Sequence, residues 1–158
     1  MIVHTIPPVY DSNSKILILG SFPSVKSREQ GFFYGHPQNR FWKVLASVFG
    51  AKIPDTVAEK REFLLKHGVA VWDVIGECDI VGSSDLSIKN VKSNDISVIL
   101  KSAKIDKIFL NGKTAEKFYK KYLEKSVGIA GTLLPSTSPA NAICSLEKLI
   151  DAWKIIKD

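Results

Sequence analysis

Lys15-Ile-Leu-Ile-Leu-Gly20 is a short, wholly apolar run that stops at a glycine. A strand with one wet face alternates apolar and polar residues, whereas an unbroken run suits a strand buried on both faces. Val69-Ala-Val-Trp-Asp73 and Lys107-Ile-Phe-Leu-Asn111 repeat the pattern, and Thr132-Leu-Leu-Pro135 is a shorter version. Helical stretches separate these runs. Phe41, Val44, Leu45 and Val48 recur at helical spacing before Gly50. Thr56 and Glu59 form a capping box for a helix to about Lys66, closed by Gly68. Ile96, Ile99, Leu100 and Ala103 line a short helix, Gly112 opens a lysine-rich one near 113–124, and Leu146, Leu149, Ile150, Trp153 and Ile156 stripe the last. Strands alternating with helices predict a three-layer α/β/α sandwich around a four-stranded parallel sheet. The stretches 21–40 and 76–94 read as long polar loops.

The chain has 158 residues, 45% apolar and 24% charged, which fits one domain over 1–158 with its own core. Those figures exclude a disordered, collagenous or coiled-coil chain. Cys78 and Cys144 stand far apart in no metal-ligand or redox spacing, so neither a disulfide framework nor a zinc or iron–sulfur site is expected. No cofactor motif occurs either. The opening MIVHTIPPVYDSNSK has no secretory pattern, and no run approaches the roughly 18 apolar residues of a membrane span. The expectation is a soluble, intracellular monomer. Net charge is +6, from 22 basic residues of which only Arg28, Arg40 and Arg61 are arginine. Lysine meets a phosphate backbone as a point charge, so this excess suits sequence-independent nucleic-acid contact, or simply a solvated face.

Ligands of parallel sheets bind beyond the carboxyl ends of the strands. The residues collected there are the unusual ones. Gly31-Phe-Phe-Tyr-Gly-His-Pro-Gln-Asn-Arg-Phe-Trp42 sets three aromatics beside hydrogen-bonding side chains. An aromatic there can stack on a flat ring while Asn39 places a water; alternatively Phe32 and Phe33 pin the loop and Asn39 caps the next helix. His36 can contact a carbonyl or phosphate, but a packed, hydrogen-bonded histidine is the commoner case. His4 and His67 have no constellation around them. Asp73 and Asp85 lack a visible partner and read as solvated or loop-bracing, Arg40 as one half of a salt bridge and Trp42 as core. Asn111 can present its amide to a nucleobase edge or serve as a turn residue. Ser136-Thr-Ser-Pro-Ala-Asn141 can hold a phosphate or be an ordinary turn before a helix.

Taken together, Gly20-Ser-Phe-Pro-Ser24, the 31–42 segment, Phe109-Leu-Asn-Gly112 and Leu134-Pro-Ser-Thr-Ser-Pro-Ala-Asn141 resemble the uracil-DNA glycosylase superfamily, in its hypoxanthine (deoxyinosine) DNA glycosylase branch. The branch is related to the mismatch-specific thymine/uracil enzymes. The match spans nearly the whole chain, and Gly-His-Pro-x-Asn-Arg-Phe-Trp is its specific part. The resemblance implies a four-stranded parallel sheet between helices and cleavage of the N-glycosidic bond of a flipped, deaminated base in double-stranded DNA. It implies a metal-free, cofactor-free hydrolysis. By the same resemblance Asn39 is the catalytic, water-positioning residue and Tyr34 the aromatic stacked on the base. Asn111 would bond the base edge, with Gly20, Ser21 and Phe22 lining the base pocket. Ser136, Thr137, Ser138, Pro139, Ala140 and Asn141, with His36, would face DNA, Ser138 at the phosphate-contacting position.

Three positions depart from the family pattern. Phe22 stands where other branches carry a water-activating Asp or Asn, which leaves Asn39 as the available amide. Ser136 replaces the histidine of uracil enzymes and implies weaker support for a uracil anion. Ala140 stands where relatives insert a leucine wedge, so weak base pairs are the expected targets. The rival reading is a non-catalytic nucleic-acid or nucleotide-binding module on the same sheet edge. A small-molecule hydrolase ranks behind both, because it gives the positive charge no purpose.

Overall fold

The computed structural model describes residues 1–158. Its first half runs β1 (Ile2–Val3), β2 (Ile16–Gly20), α1 (Val25–Gln30), α2 (Phe41–Phe49), α3 (Val57–Lys66), β3 (Val69–Asp73) and β4 (Ile75–Asp79). After a turn of 3-10 helix at Asp85–Ser87 come β5 (Lys89–Ser93), α4 (Ser97–Ser102), β6 (Lys107–Asn111) and α5 (Lys113–Tyr122). The chain ends with α6 (Glu124–Val127), β7 (Gly131–Leu134) and α7 (Leu146–Trp153), extended by 3-10 turns over Lys154–Lys157.

The four apolar runs form one parallel sheet in the order β3-β2-β6-β7. Along β2, Ile16 and Ile18 enter one core while Leu17 and Leu19 enter the other. Phe109 faces the first and Ile108 and Leu110 the second, which is the period of two a strand imposes. The central strand β2, buried along its whole length, therefore needed a side chain free of polar groups at every position. The first core is closed by α2, α3 and α7, through Phe41, Leu45, Leu64, Leu149 and Trp153. The second holds Ile99 of α4 with Ala115, Phe118 and Tyr119 of α5. The expected three layers are present. No helix is long and apolar enough to cross a membrane.

The local signals behaved as chemistry requires. Thr56 Oγ1 accepts the Glu59 amide, as the expected capping box requires, but the Glu59 carboxyl accepts the Thr56 hydroxyl rather than its amide. Gly50 ends α2 in the left-handed region at φ 63°, a conformation that suits glycine.

Two loop expectations are corrected. The 76–94 stretch holds the strands β4 and β5, which with β1 make a second, antiparallel sheet in the order β1-β4-β5. Register shifts interrupt the β4–β5 pairing, and four of the five β5 residues are exposed. A mostly solvated strand shows no apolar alternation, and this one was silent for that reason. The 21–40 stretch contains α1, capped by Ser24 and ended by Gly31 at φ 70°. The lysine-rich helix also stops at Tyr122, two residues early, and α6 follows as a separate turn.

Candidate active site

All four parallel strands end at one cleft of about 500 Å³, within the roughly 300–1,000 Å³ usual for small-ligand sites. Gly20 closes β2 opposite Asp73 of β3, and Asn111 closes β6 opposite Leu134 of β7. The segments that follow those ends, together with the 33–39 loop, make the walls. Every residue expected at the site, apart from Asn141, lines this cleft: Gly20, Ser21, Phe22, Tyr34, His36, Asn39, Asn111 and Ser136 through Ala140.

Tyr34 is held in a strained conformation. Its φ is 52°, and Asn90 is the other non-glycine residue at positive φ. A bulky residue in that region is rare and persists where its surroundings over-determine it. Phe41 stacks on the ring with centroids 3.9 Å apart and planes 15° apart, and Trp42 Nε1 donates to the Tyr34 carbonyl at 3.2 Å. The hydroxyl is buried without a hydrogen-bond partner. Burial pushes its pKa far above the ordinary phenol value, with the Asp73 charge adding to the rise and the nearby Asn111 amide opposing it.

Asn39 braces the start of α2 and also lines the cleft. It stands one residue before the cap position of α2, and its Oδ1 accepts the Phe41 amide at 3.0 Å. That bond fixes which end of the amide is oxygen while the side chain still reaches the cleft. His36 lies half-buried on the same wall, its Nδ1 accepting the Gln38 amide at 3.1 Å.

Asn111 is 9% exposed and committed to Thr137 at both ends of its amide. Its Nδ2 donates to Thr137 Oγ1 and its Oδ1 accepts the Thr137 amide, each at 3.1 Å. One N–H and one lone pair are left over. The Ser136–Asn141 turn is further fixed by its own hydroxyls: Ser136 Oγ accepts the Ser138 amide and Ser138 Oγ accepts that of Ala140, both at 3.1 Å. Asn141 serves this turn rather than the cleft, donating Nδ2 to the Ser136 carbonyl at 3.0 Å. Gly112, at φ 97°, passes Ser136 so closely that a β-carbon would sit 3.0 Å from the serine Cβ. No glycine substitute fits there.

Two sequence readings, of Arg40 and of Asp73, need correction. Arg40 makes no salt bridge; its guanidinium donates to the carbonyls of Ser138 (3.2 Å) and Asn141 (3.0 Å) and, more closely, to that of Cys144. It clamps the turn from α2. Trp42 does join the core. Asp73 is 4% exposed rather than solvated, and His4 is its partner, with Nε2 2.7 Å from Oδ2. That pair spans 69 residues, and no local signal in the chain announces it. Asp85 braces the rim by accepting the Ser21 hydroxyl at 3.3 Å. It retains solvent contact, yet lost hydration raises its pKa, Asp73 adding to the rise and the Thr114 and Ser21 hydroxyls opposing it. No group of three or more His, Cys, Asp or Glu side chains is placed to hold a metal.

Likeness to known proteins extends over most of the chain. A hypoxanthine DNA glycosylase of Methanosarcina acetivorans is 36% identical over 143 residues, 89% of each chain. Its namesake from Methanosarcina barkeri is 34% identical over 137 residues, 85% of each. A solution NMR structure from Methanosarcina acetivorans, of a protein provisionally assigned as a uracil DNA glycosylase, superposes with a TM-score of 0.80 at 30% identity over 97% of both chains. The family model for the uracil DNA glycosylase superfamily matches residues 7–157, so it takes in the sheet, the cleft and the clamp alike. The chain belongs to the uracil DNA glycosylase superfamily.

Proposed function

We propose that this protein is a monofunctional DNA glycosylase that removes a deaminated base, hypoxanthine foremost, from double-stranded DNA and leaves an abasic site. Uracil and xanthine are weaker candidates. Residues 1–158 act as one unit and as a monomer, inside the cell with the DNA. The observation that carries the reading is the shared cleft. The Tyr34 ring and the Asn39 amide open onto the same space at the strand ends, and Asn111 stands behind it. The likeness to two hypoxanthine DNA glycosylases supports the choice of base.

The chemistry follows from charge development. Lysines draw in the phosphate backbone, with an affinity that falls steeply as salt rises. The target base leaves the stack at a cost of a few kcal/mol, least for a mispaired or damaged base. Tyr34, backed by Phe41 on one face, offers its other face to that base. As the glycosidic bond breaks, positive charge grows on the sugar and negative charge on the base. The DNA phosphates that flank the flipped nucleotide, gripped by the turn at Ser136–Ala140, stabilise the first. An oxocarbenium-like centre is so electrophilic that the nucleophile needs placement more than deprotonation. The Asn39 oxygen, fixed by the Phe41 amide and still holding a free lone pair, accepts a hydrogen bond from a water and so aims the water oxygen. The water oxygen bonds to the sugar carbon, the base departs with the electrons of the broken glycosidic bond, and the proton shed by the added water passes through solvent to the base anion.

The test is single-turnover incubation with oligonucleotides carrying deoxyinosine, deoxyuridine or deoxyxanthosine, followed by alkali and gel separation. Alkali-labile sites form fastest at deoxyinosine. Salt-sensitive binding with no strand cleavage after alkali on any of the three would make the protein a non-catalytic binder.

A further inference from the structure

His4 and Asp73 form a buried pair in the wall of the cleft. Their side chains are 0% and 5% exposed. The rings of Phe22, Phe33 and Trp72 stand 5.9, 6.1 and 6.2 Å from the imidazole and keep water away from it. The tautomer can be read from the neighbours. His4 Nδ1 accepts the Ile6 amide at 3.2 Å and so bears a lone pair. In the neutral ring the proton then sits on Nε2, which donates it to Asp73 Oδ2. The imidazole works as a one-way donor and holds the carboxylate in place.

The other oxygen of Asp73, Oδ1, receives no hydrogen bond from the protein and faces across Gly20. A β-carbon at residue 20 would lie 2.5 Å from it and 3.1 Å from the unpartnered Tyr34 hydroxyl. Two unspent polar groups therefore flank one glycine in the wall of the cleft. The buried Tyr34 hydroxyl costs stability while it is unpaired, and such groups persist in native structures where a ligand completes them, while Asp73 Oδ1 keeps its lone pairs for a donor in the cleft. Asn111, the other polar group at the strand ends, spends one N–H and one lone pair on Thr137 and is turned by those two bonds toward the 136–141 turn.

We infer that Asp73 is a specificity-determining residue whose Oδ1 accepts the ring N–H of the flipped base. This rests on the glycosylase reading above and names how that site tells a deaminated base from the adenine or cytosine it came from. Adenine presents a bare ring nitrogen beside an amino donor, and deamination turns that edge into N1–H beside a carbonyl. Cytosine and uracil differ in the same way at N3. A carboxylate oxygen has lone pairs and no proton, so it attracts the deaminated edge and repels the lone pair of adenine or cytosine. Buried polar mismatches of this kind discriminate far more strongly than shape does. Gly20 is what allows the oxygen and the base to meet.

The fixed tautomer of His4 makes the test sharp. In Asp73→Asn the amide oxygen must turn to the His4 proton, which leaves Nδ2 donating into the cleft. An acceptor becomes a donor with almost no change of shape. Wild type and variant are compared on deoxyinosine and on deoxynebularine, a purine with a bare N1, each placed opposite an abasic analogue so that pairing strength is equal. D73N is expected to lose at least about 100-fold in single-turnover rate on deoxyinosine and less than about threefold on deoxynebularine. Its melting temperature and its binding to abasic-site DNA should match wild type. Equal losses on both bases, or no loss on deoxyinosine, overturn the inference. Asp73→Ser, which leaves space for a water on His4, runs the same comparison if the amide variant does not fold. A wild-type protein inert on deoxyinosine overturns the glycosylase reading itself, an outcome distinct from the other two.

Discussion

Asn111 and Thr137 hold each other by two hydrogen bonds of 3.1 Å, tying the end of the β6 strand to the 136–141 turn. Thr137 is fully buried, so its hydroxyl is the acceptor available to one Asn111 N–H. Thr137→Val keeps the shape and removes that acceptor. It should cost about 1–3 kcal/mol in chemical denaturation, the range for a buried donor left unpaired. Thr137→Ser should recover most of the loss, and DNA affinity should follow stability across the pair.

Gly20 has no freedom to become alanine. The added methyl would lie 2.5 Å from Asp73 Oδ1, and that carboxylate is held on its far side by His4. Overpacking of this sort costs roughly 1–3 kcal/mol. Gly20→Ala should therefore lower the melting temperature, and it should abolish base excision even where the protein remains folded.

Asn39→Ala separates chemistry from binding. Loss of its bond to the Phe41 amide costs about 0.5–2 kcal/mol, the usual range for a helix cap. Binding to deoxyinosine DNA should persist within a few fold, while the single-turnover rate should fall by at least about 100-fold. An unchanged rate would remove Asn39 from its role.

Leu86 is fully exposed at the mouth of the cleft, and Ala140 across from it is small. Apolar side chains that enter the base stack ease the extrusion of a nucleotide. Leu86→Ala should slow excision from a well-paired duplex severalfold and leave excision opposite an abasic analogue unchanged. Equal effects on the two substrates would place Leu86 outside the stack.

Asp85 supplies a pH signature. Its pKa is raised in the folded protein, so the native state binds this proton more tightly than the unfolded chain does. Stability from the protonated form is complete below the ordinary carboxylate range and is lost as pH rises through the folded value. Asp85→Asn removes the penalty of the charge. The variant should be more stable than wild type at pH 7 and indistinguishable from it at pH 3, as read from urea midpoints.

The sequence by itself determined the sheet. Burial on both faces forces every residue of Ile16–Leu19 and Val69–Val71 to be apolar, so the strands were visible as runs. It also placed Tyr34, Asn39, Asn111 and the 136–141 turn at the carboxyl ends, because loop position follows from strand order. The tertiary structure alone decided what those side chains touch. Solvated β5 left no pattern to read, and the clamp of Arg40 on three carbonyls involves backbone groups that every residue carries. His4 and Asp73 each look ordinary in their own neighbourhoods. Their meaning comes from a contact across 69 residues, and hydrogen bonds at that range depend on where the packed strands deliver the side chains rather than on any local periodicity.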